Sequence, residues 1–122
     1  MEMQNGAFWL HGKPFFLYSG EVHYFRIPKK DWEARLRALR AAGFNTVSTY
    51  IPWIWHAPEE GKFDFTGETV PERDVLGFLD LAKKEKLSVL ARVGPVSNAE
   101  LRHEGLPAWL VENYPDIFVT GR

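Results

Sequence analysis

The sequence predicts an α/β fold of about three strand–helix units, with a spacing that fits a (β/α)8 TIM-barrel. Three observations carry that expectation. Short apolar runs alternate with stretches of helical periodicity, an order that favours parallel strands joined by right-handed crossovers. Leu17 and Val47, in the first two runs, lie 30 positions apart (47 − 17), close to the ~31 residues that an eight-unit barrel of roughly 250 residues allots to each unit. Val47 and Val89 lie 42 positions apart (89 − 47), so the second unit carries a loop insertion. On residue pattern alone, the alternation suits a flavodoxin-like open sheet equally well.

Taken in chain order, Phe8–Leu10 and Phe15–Tyr18 flank the turn-forming His11-Gly-Lys-Pro14 and read as a hairpin leading into a strand. After Pro28, Asp31–Ala42 repeats apolar residues at helical spacing. Trp32, Leu36 and Leu39 share one face, while Glu33, Arg35, Arg37 and Arg40 fall elsewhere. Gly43 follows as the expected C′ residue, where glycine takes a left-handed conformation at little cost. Asn45–Tyr50 is rich in β-branched residues and reads as a second strand. A long aromatic loop follows, from Pro52 to about Pro71, punctuated by Gly61, Gly67 and several prolines. Arg73–Lys84 reads as a second amphipathic helix with Val75, Phe78, Leu79 and Ala82 inward, and Ser88–Val93 as a third strand. The polar loop Gly94–Gly105 leads into a short helix, Leu106–Asn113, with proline in its first turn.

Composition removes several classes of function. Cysteine is absent, which excludes disulfide frameworks, thiolate zinc sites and cysteine nucleophiles together. With 15 basic against 16 acidic residues, the chain has no electrostatic footprint for nucleic acid or an anionic membrane, and neither partner is expected. Its apolar runs are far shorter than the ~20 residues of a spanning helix. Met1–Gly6 lacks the basic and apolar regions of a secretory signal, so a cytoplasmic address is expected.

In a parallel α/β architecture, function gathers at the carboxyl ends of the strands. Gly20–Arg26, Tyr50–His56 and Gly94–Glu100 occupy those positions and concentrate carboxylates, histidines, aromatics and amides. Glu21 and Glu100 have two readings. They are the acid and nucleophile of a glycosidase, or carboxylates that accept hydrogen bonds from an arginine, a histidine or a substrate hydroxyl. Tyr24, Phe25, Tyr50, Trp53 and Trp55 offer flat faces suited to the C–H faces of sugar rings; equally, such rings cap a core or cover an interface. Tyr50 is the favoured functional ring because it ends a strand. His23, His56 and His103 lack the His-Glu-x-x-His spacing of a zinc site, so hydrogen bonding to carboxylates is expected and no metal. Arg26 and Arg92 are basic residues at strand ends. Arg92 is expected to be paired, since an unpaired buried guanidinium is costly, and to support the site by holding a nearby carboxylate ionised. The sequence contains no phosphate-binding glycine loop and no G-x-S-x-G elbow.

Four motifs in register carry a family resemblance: Ser19-Gly-Glu-Val-His-Tyr-Phe-Arg-Ile-Pro28, Ala42-Gly-Phe-Asn-Thr-Val-Ser-Thr-Tyr-Ile-Pro-Trp53, Gly61-Lys-Phe-Asp-Phe-Thr-Gly67 and Gly105-Leu-Pro-Ala-Trp-Leu110. From about Trp9 to Asn113 the chain resembles the opening third of the catalytic domain of glycoside hydrolase family 35 β-galactosidases. The resemblance implies that residues 1–122 form the N-terminal part of a (β/α)8 barrel that releases terminal β-linked galactose. It also implies a retaining mechanism without metal or organic cofactor. Tyr50 then contacts the sugar, and Asn98, Ala99 and Glu100 supply contacts to its hydroxyls, which makes Glu100 a binding carboxylate. Glu21, His23, Trp53 and Arg92 are expected to support the site. The family's acid/base and nucleophile are glutamates on the fourth and seventh strands, expected beyond Arg122, so no catalytic residue is assigned within the chain and the chain alone is expected to be inactive.

Three segments depart from the family pattern: His56-Ala-Pro58, Arg92-Val-Gly-Pro-Val96 and Leu101-Arg-His-Glu-Gly105. The segment from Glu68 to Arg73 is also longer. These changes lie in substrate-facing loops and bear on which sugar binds rather than on the fold, with a related sugar or a longer polysaccharide as the alternative. Two other readings stand beside the enzyme fragment. One is a small self-contained enzyme using Glu21 and Glu100. The other is a non-catalytic, carbohydrate-binding or partner-dependent half-barrel, whose open strand edges would favour self-association or pairing with the remaining barrel segment.

Overall fold

In a computed structural model of the chain, which describes residues 1–117, two Xaa-Gly dipeptides set the N-terminal architecture. Asn5-Gly6 (φ 50° and 75°) and His11-Gly12 (φ 51° and 74°) are left-handed at both positions, the type I′ geometry whose twist matches paired antiparallel strands. They fold β1 (Glu2–Gln4), β2 (Ala7–Leu10) and β3 (Lys13–Phe15) into an antiparallel meander. The expected hairpin is therefore one strand larger, because Asn5-Gly6 turns β1 back onto β2. The second turn is also tighter than His11–Pro14, and Pro14 sits within β3 opposite Trp9, a position open to proline on an edge strand. Phe16–Tyr18 lies outside any strand and is anchored by Asn45. The Asn45 amide Nδ2 donates to the Phe16 carbonyl (2.6 Å), and its Oδ1 accepts the Tyr18 N–H (3.0 Å).

The second sheet is parallel, with β4 (Ser19–Glu21), β5 (Thr46–Pro52) and β6 (Ser88–Gly94) in that spatial order. Gly20 pairs with Val47 and Val47 with Val89, so the true inter-strand intervals are 27 (47 − 20) and 42 (89 − 47) positions. The sequential order matches consecutive barrel units; a flavodoxin-like order would put the first strand between the next two. Helices α1 (Trp32–Ala41) and α3 (Val75–Lys84) bury Trp32, Leu36, Val75, Phe78 and Ala82 in one cluster with Val47 and Leu87. Both helices thus cover the same face of the sheet, as in a (β/α)8 barrel. Gly20 allows α1 to lie close on β4, because a Cβ there would stand 2.3 Å from Leu39 Cδ1.

Both helices end in the same hydrogen-bonded motif. Gly43 N–H donates to Arg40 O and Phe44 N–H to Leu39 O; Lys86 N–H donates to Lys83 O and Leu87 N–H to Ala82 O. This Schellman arrangement needs a left-handed C′ residue, supplied by Gly43 (φ 95°) in one case and by Lys86 (φ 58°) in the other. Helix α3 starts at Val75 rather than Arg73 because the Asp74 side chain caps it, accepting the Gly77 N–H at 2.9 Å. The aromatic loop contains a four-residue helix, α2 (Trp53–His56), and the chain beyond β6 ends its described part with α4 (Ala108–Asn113) and a 3-10 turn. Among the described residues, no helix is long and apolar enough to cross a membrane.

Candidate sugar-binding site

Side chains alternate across a strand, and Val47 and Val89 of β5 and β6 pack toward the helices. Ser48, Tyr50 and Arg92 therefore take the opposite, inward face, and Glu21 joins them through its register with Ser48. Arg92 reaches from β6 across the middle strand to ion-pair with Glu21 on β4. On the way its guanidinium carbon lies 3.8 Å from the centre of the Tyr50 ring, within cation–π range. His23 completes the cluster: its Nε2 is 3.4 Å from Glu21 Oε1, and its ring stacks on Tyr50 at 5.7 Å and 23°. Burial, reinforced by the Arg26 charge, holds the His23 pKa below its ordinary value. Its Nδ1 is buried without a hydrogen-bond partner among the described residues. The structure thus brings Glu21, His23, Tyr50 and Arg92 together, and Arg92 is paired as its position in the strand predicts.

Asn98, Ala99 and Glu100 lie in the loop after β6. Ala99 is buried, Asn98 and Glu100 are exposed, and the Glu100 side chain makes no hydrogen bond or ion pair among the described residues. Glu100 is left-handed (φ 54°), as are His103 (φ 50°) and Glu104 (φ 56°), conformations that cost free energy for residues with a Cβ. A link to the first strand's loop comes from Arg26, whose Nη2 donates to the Ala99 carbonyl.

Trp53 is placed differently. It meets Trp109 edge to face at 6.0 Å and 82°, and lines an apolar cavity of about 410 Å³ with Ile51, Val93, Phe63 and Phe65. None of Glu21, His23, Tyr50 and Arg92 lines that cavity. Trp55 is committed to the loop, donating from Nε1 to the Glu72 carbonyl (3.1 Å) under the Arg73 guanidinium.

His56 is buried and both ring nitrogens are engaged. Nδ1 lies 2.6 Å from the Asp64 carbonyl, which only accepts, so Nδ1 carries the proton and Nε2 accepts from Tyr24 O–H at 2.6 Å. Burial, with the Arg73 charge nearby, lowers the His56 pKa against the opposing pull of Asp64; burial raises that of Tyr24. The Asp64 carboxylate folds the loop around itself. Its Oδ1 accepts the N–H groups of Thr66, Gly67 and Glu68, while Oδ2 accepts Thr69 N–H and O–H. These bonds hold the Asp64 pKa well below the usual carboxylate range. Of the two sequence readings for the Tyr24 ring, the core one holds, since Tyr24 is fully buried, and His56 bonds a main-chain carbonyl and a phenol where a carboxylate partner is expected; the aspartate two residues before Thr66-Gly67 is the turn signal that marks the loop. Among the described residues, no three His, Asp or Glu side chains converge on a possible metal position.

A solved structure described as an exo-β-1,4-mannosidase from Opitutaceae bacterium strain TAV5 superposes with a TM-score of 0.73 at 18% identity, over 89% of this chain and 20% of that one; the likeness is one of fold. Curated relatives share more sequence. An exo-β-D-glucosaminidase of Pyrococcus horikoshii is 52% identical over 83% of this chain and 13% of its own length. A β-1,2-glucosyltransferase of Ignavibacterium album is 50% identical over 84% and 14%. A β-galactosidase of Mus musculus is 42% identical over 92% and 17%. The chain therefore spans between 13% and 17% of the length of these relatives. The profile of glycosyl hydrolases family 35 matches residues 7–119. With three parallel strands in sequential order, helices on one face and that match over nearly its whole length, the chain belongs to glycosyl hydrolases family 35, as a partial (β/α)8 domain.

Proposed function

We propose that this chain forms the N-terminal wall of the sugar site of a retaining exo-acting glycosidase whose substrate is a terminal β-galactoside. The observation that carries the proposal is the convergence of Glu21, His23, Tyr50 and Arg92 at the carboxyl ends of adjacent parallel strands. In this fold that is where substrate binds. The Glu21 carboxylate is already engaged by Arg92 and His23, which suits a wall that orients Tyr50 and presents hydrogen-bonding groups. Tyr50 and the Asn98–Glu100 segment contact the hydroxyls of the sugar. The reacting carboxylates are two glutamates outside this chain, held roughly 5–5.5 Å apart as retention requires.

A second substrate, a terminal β-D-glucosaminide, is favoured by the 52% identity to the Pyrococcus horikoshii relative and by the departures from the galactosidase pattern in the loop after β6. Assay of the full-length protein with p-nitrophenyl β-D-galactoside and p-nitrophenyl β-D-glucosaminide separates the two. Turnover of the galactoside, with kcat/KM reduced roughly 10-fold by Tyr50→Phe through the loss of one hydrogen bond, is the expected result. Turnover of the glucosaminide alone transfers the site to the amino sugar, and turnover of neither overturns the proposal. Residues 1–122 alone should release no p-nitrophenol from either substrate.

A further inference from the structure

We infer that Arg26 is a positioning residue for the substrate wall: its guanidinium holds the Ala99 carbonyl and so fixes the backbone that presents Asn98 and Glu100. The inference rests on reading Asn98–Glu100 as the sugar-contacting segment. Arg26 ends a 3-10 turn, Tyr24–Arg26, that is secured from several sides. The buried Trp32 indole N–H donates to the carbonyls of both Tyr24 (3.1 Å) and Ile27 (3.0 Å). Tyr24 is itself fully buried, with its O–H on His56. The backbone on either side of Arg26 is therefore tied to the core, and the arginine side chain extends from it along the exposed surface.

In the loop it meets, Ser97 and Ala99 are buried, while Asn98 and Glu100 are exposed. Three residues with side chains, Glu100, His103 and Glu104, are left-handed, and such conformations persist only where the surroundings impose them. Inside the loop, Ala99 N–H donates to Ser97 Oγ (3.2 Å) and Ser97 N–H to the Glu104 carbonyl (2.6 Å). Gly105 lies close against Ser97, where a Cβ would stand 3.1 Å from that of Ser97. These bonds shape the loop without tying its tip to the sheet. The bond from Arg26 makes that tie, across 73 positions of sequence, one residue before Glu100. A charged donor on a carbonyl is among the stronger hydrogen bonds, and its loss frees the tip to relax from its left-handed turns.

Full-length protein carrying Arg26→Gln, Arg26→Lys or Glu100→Gln distinguishes this role from a general structural one. Arg26→Gln should raise KM for p-nitrophenyl β-D-galactoside about tenfold with little change in kcat or melting temperature, the signature of lost ground-state binding. Arg26→Lys, which keeps one charged donor, should recover part of the loss. Amide hydrogen exchange of residues 97–104 should accelerate in Arg26→Gln without substrate present. Unchanged exchange in that variant overturns the inference, and so does an unchanged KM there if Glu100→Gln raises KM. Faster exchange with KM unaffected by both Arg26→Gln and Glu100→Gln upholds the hold on the loop and instead overturns the assignment of Glu100 to the sugar.

Discussion

His56 illustrates how one residue's chemistry is dictated by its partners. Because the Asp64 carbonyl only accepts, Nδ1 carries the proton of the neutral ring and Nε2 accepts from Tyr24 O–H, while a second proton would charge a ring buried among apolar neighbours. Burial lowers its folded pKa below the unfolded value of about 6.5. Below that unfolded value the unfolded chain binds more protons than the folded one. This contribution to stability is therefore complete above about pH 6.5 and is lost as pH falls through the lower folded value. Urea denaturation should give a falling midpoint between pH 7.5 and 5. A His56→Gln variant should be less stable at pH 7.5 yet lose less across that range. His23, also depressed, acts in the same sense, so the slope is reduced and not abolished. Equal losses in both proteins would place the effect elsewhere. Of the candidate-site residues, Tyr50 and Arg92 were legible as residues near strand ends, although β5 runs on to Pro52 and β6 to Gly94, so each lies two residues inside its strand. Arg26 showed only as a basic residue at a strand end, since nothing local reveals which distant carbonyl it meets.

At the scale of elements, the two long helices and the loop between them yield two predictions. Both helices close with the same motif, but α3 uses Lys86 where α1 uses Gly43. A left-handed lysine costs about 1 kcal/mol relative to glycine, so Lys86→Gly should raise the free energy of unfolding by about that amount, measured by chemical denaturation at pH 7.5. A loss of stability would show that glycine's unfolded-state entropy outweighs the relieved strain. The loop from Ala57 to Asp74 depends on one carboxylate. Asp64→Asn replaces one acceptor with a donor facing donors: if Oδ1 is retained, the new amide opposes Thr69 N–H. Leaving such a group unsatisfied should cost roughly 1–3 kcal/mol, and the same denaturation measurement would detect it. The helices α1 and α3 were legible because apolar residues recur at helical spacing. Strand β1 was missed because three exposed residues carry no alternating pattern; only Asn5-Gly6 marked the turn that forms it.

For the molecule as a whole, the sheet ends in open edges. Strand β6 has no partner on its outer side among the described residues, and Leu90 and Val93 are 44% and 74% exposed. Residues 1–122 prepared alone should self-associate, and Val93→Lys should shift them toward monomer in sedimentation, because a charge blunts an exposed edge. A monomeric, cooperatively melting unaltered chain would contradict this. The sequence by itself determined the α/β class, the positions of the two long helices and of strands β5 and β6, and the family likeness, since periodicity, turn chemistry and motifs are properties of short segments; the strand β4 it put too early, at Phe15–Tyr18. It left a barrel and a flavodoxin-like sheet equal until the strand order β4-β5-β6 was known. Only the tertiary structure decided which side chains meet. Glu21 and Arg92 join across a third strand, Trp53 turns to Trp109 and an apolar cavity, and Arg26 reaches Ala99. Such contacts depend on strand register and on how loops from separate units converge in space, which no local stretch of sequence encodes.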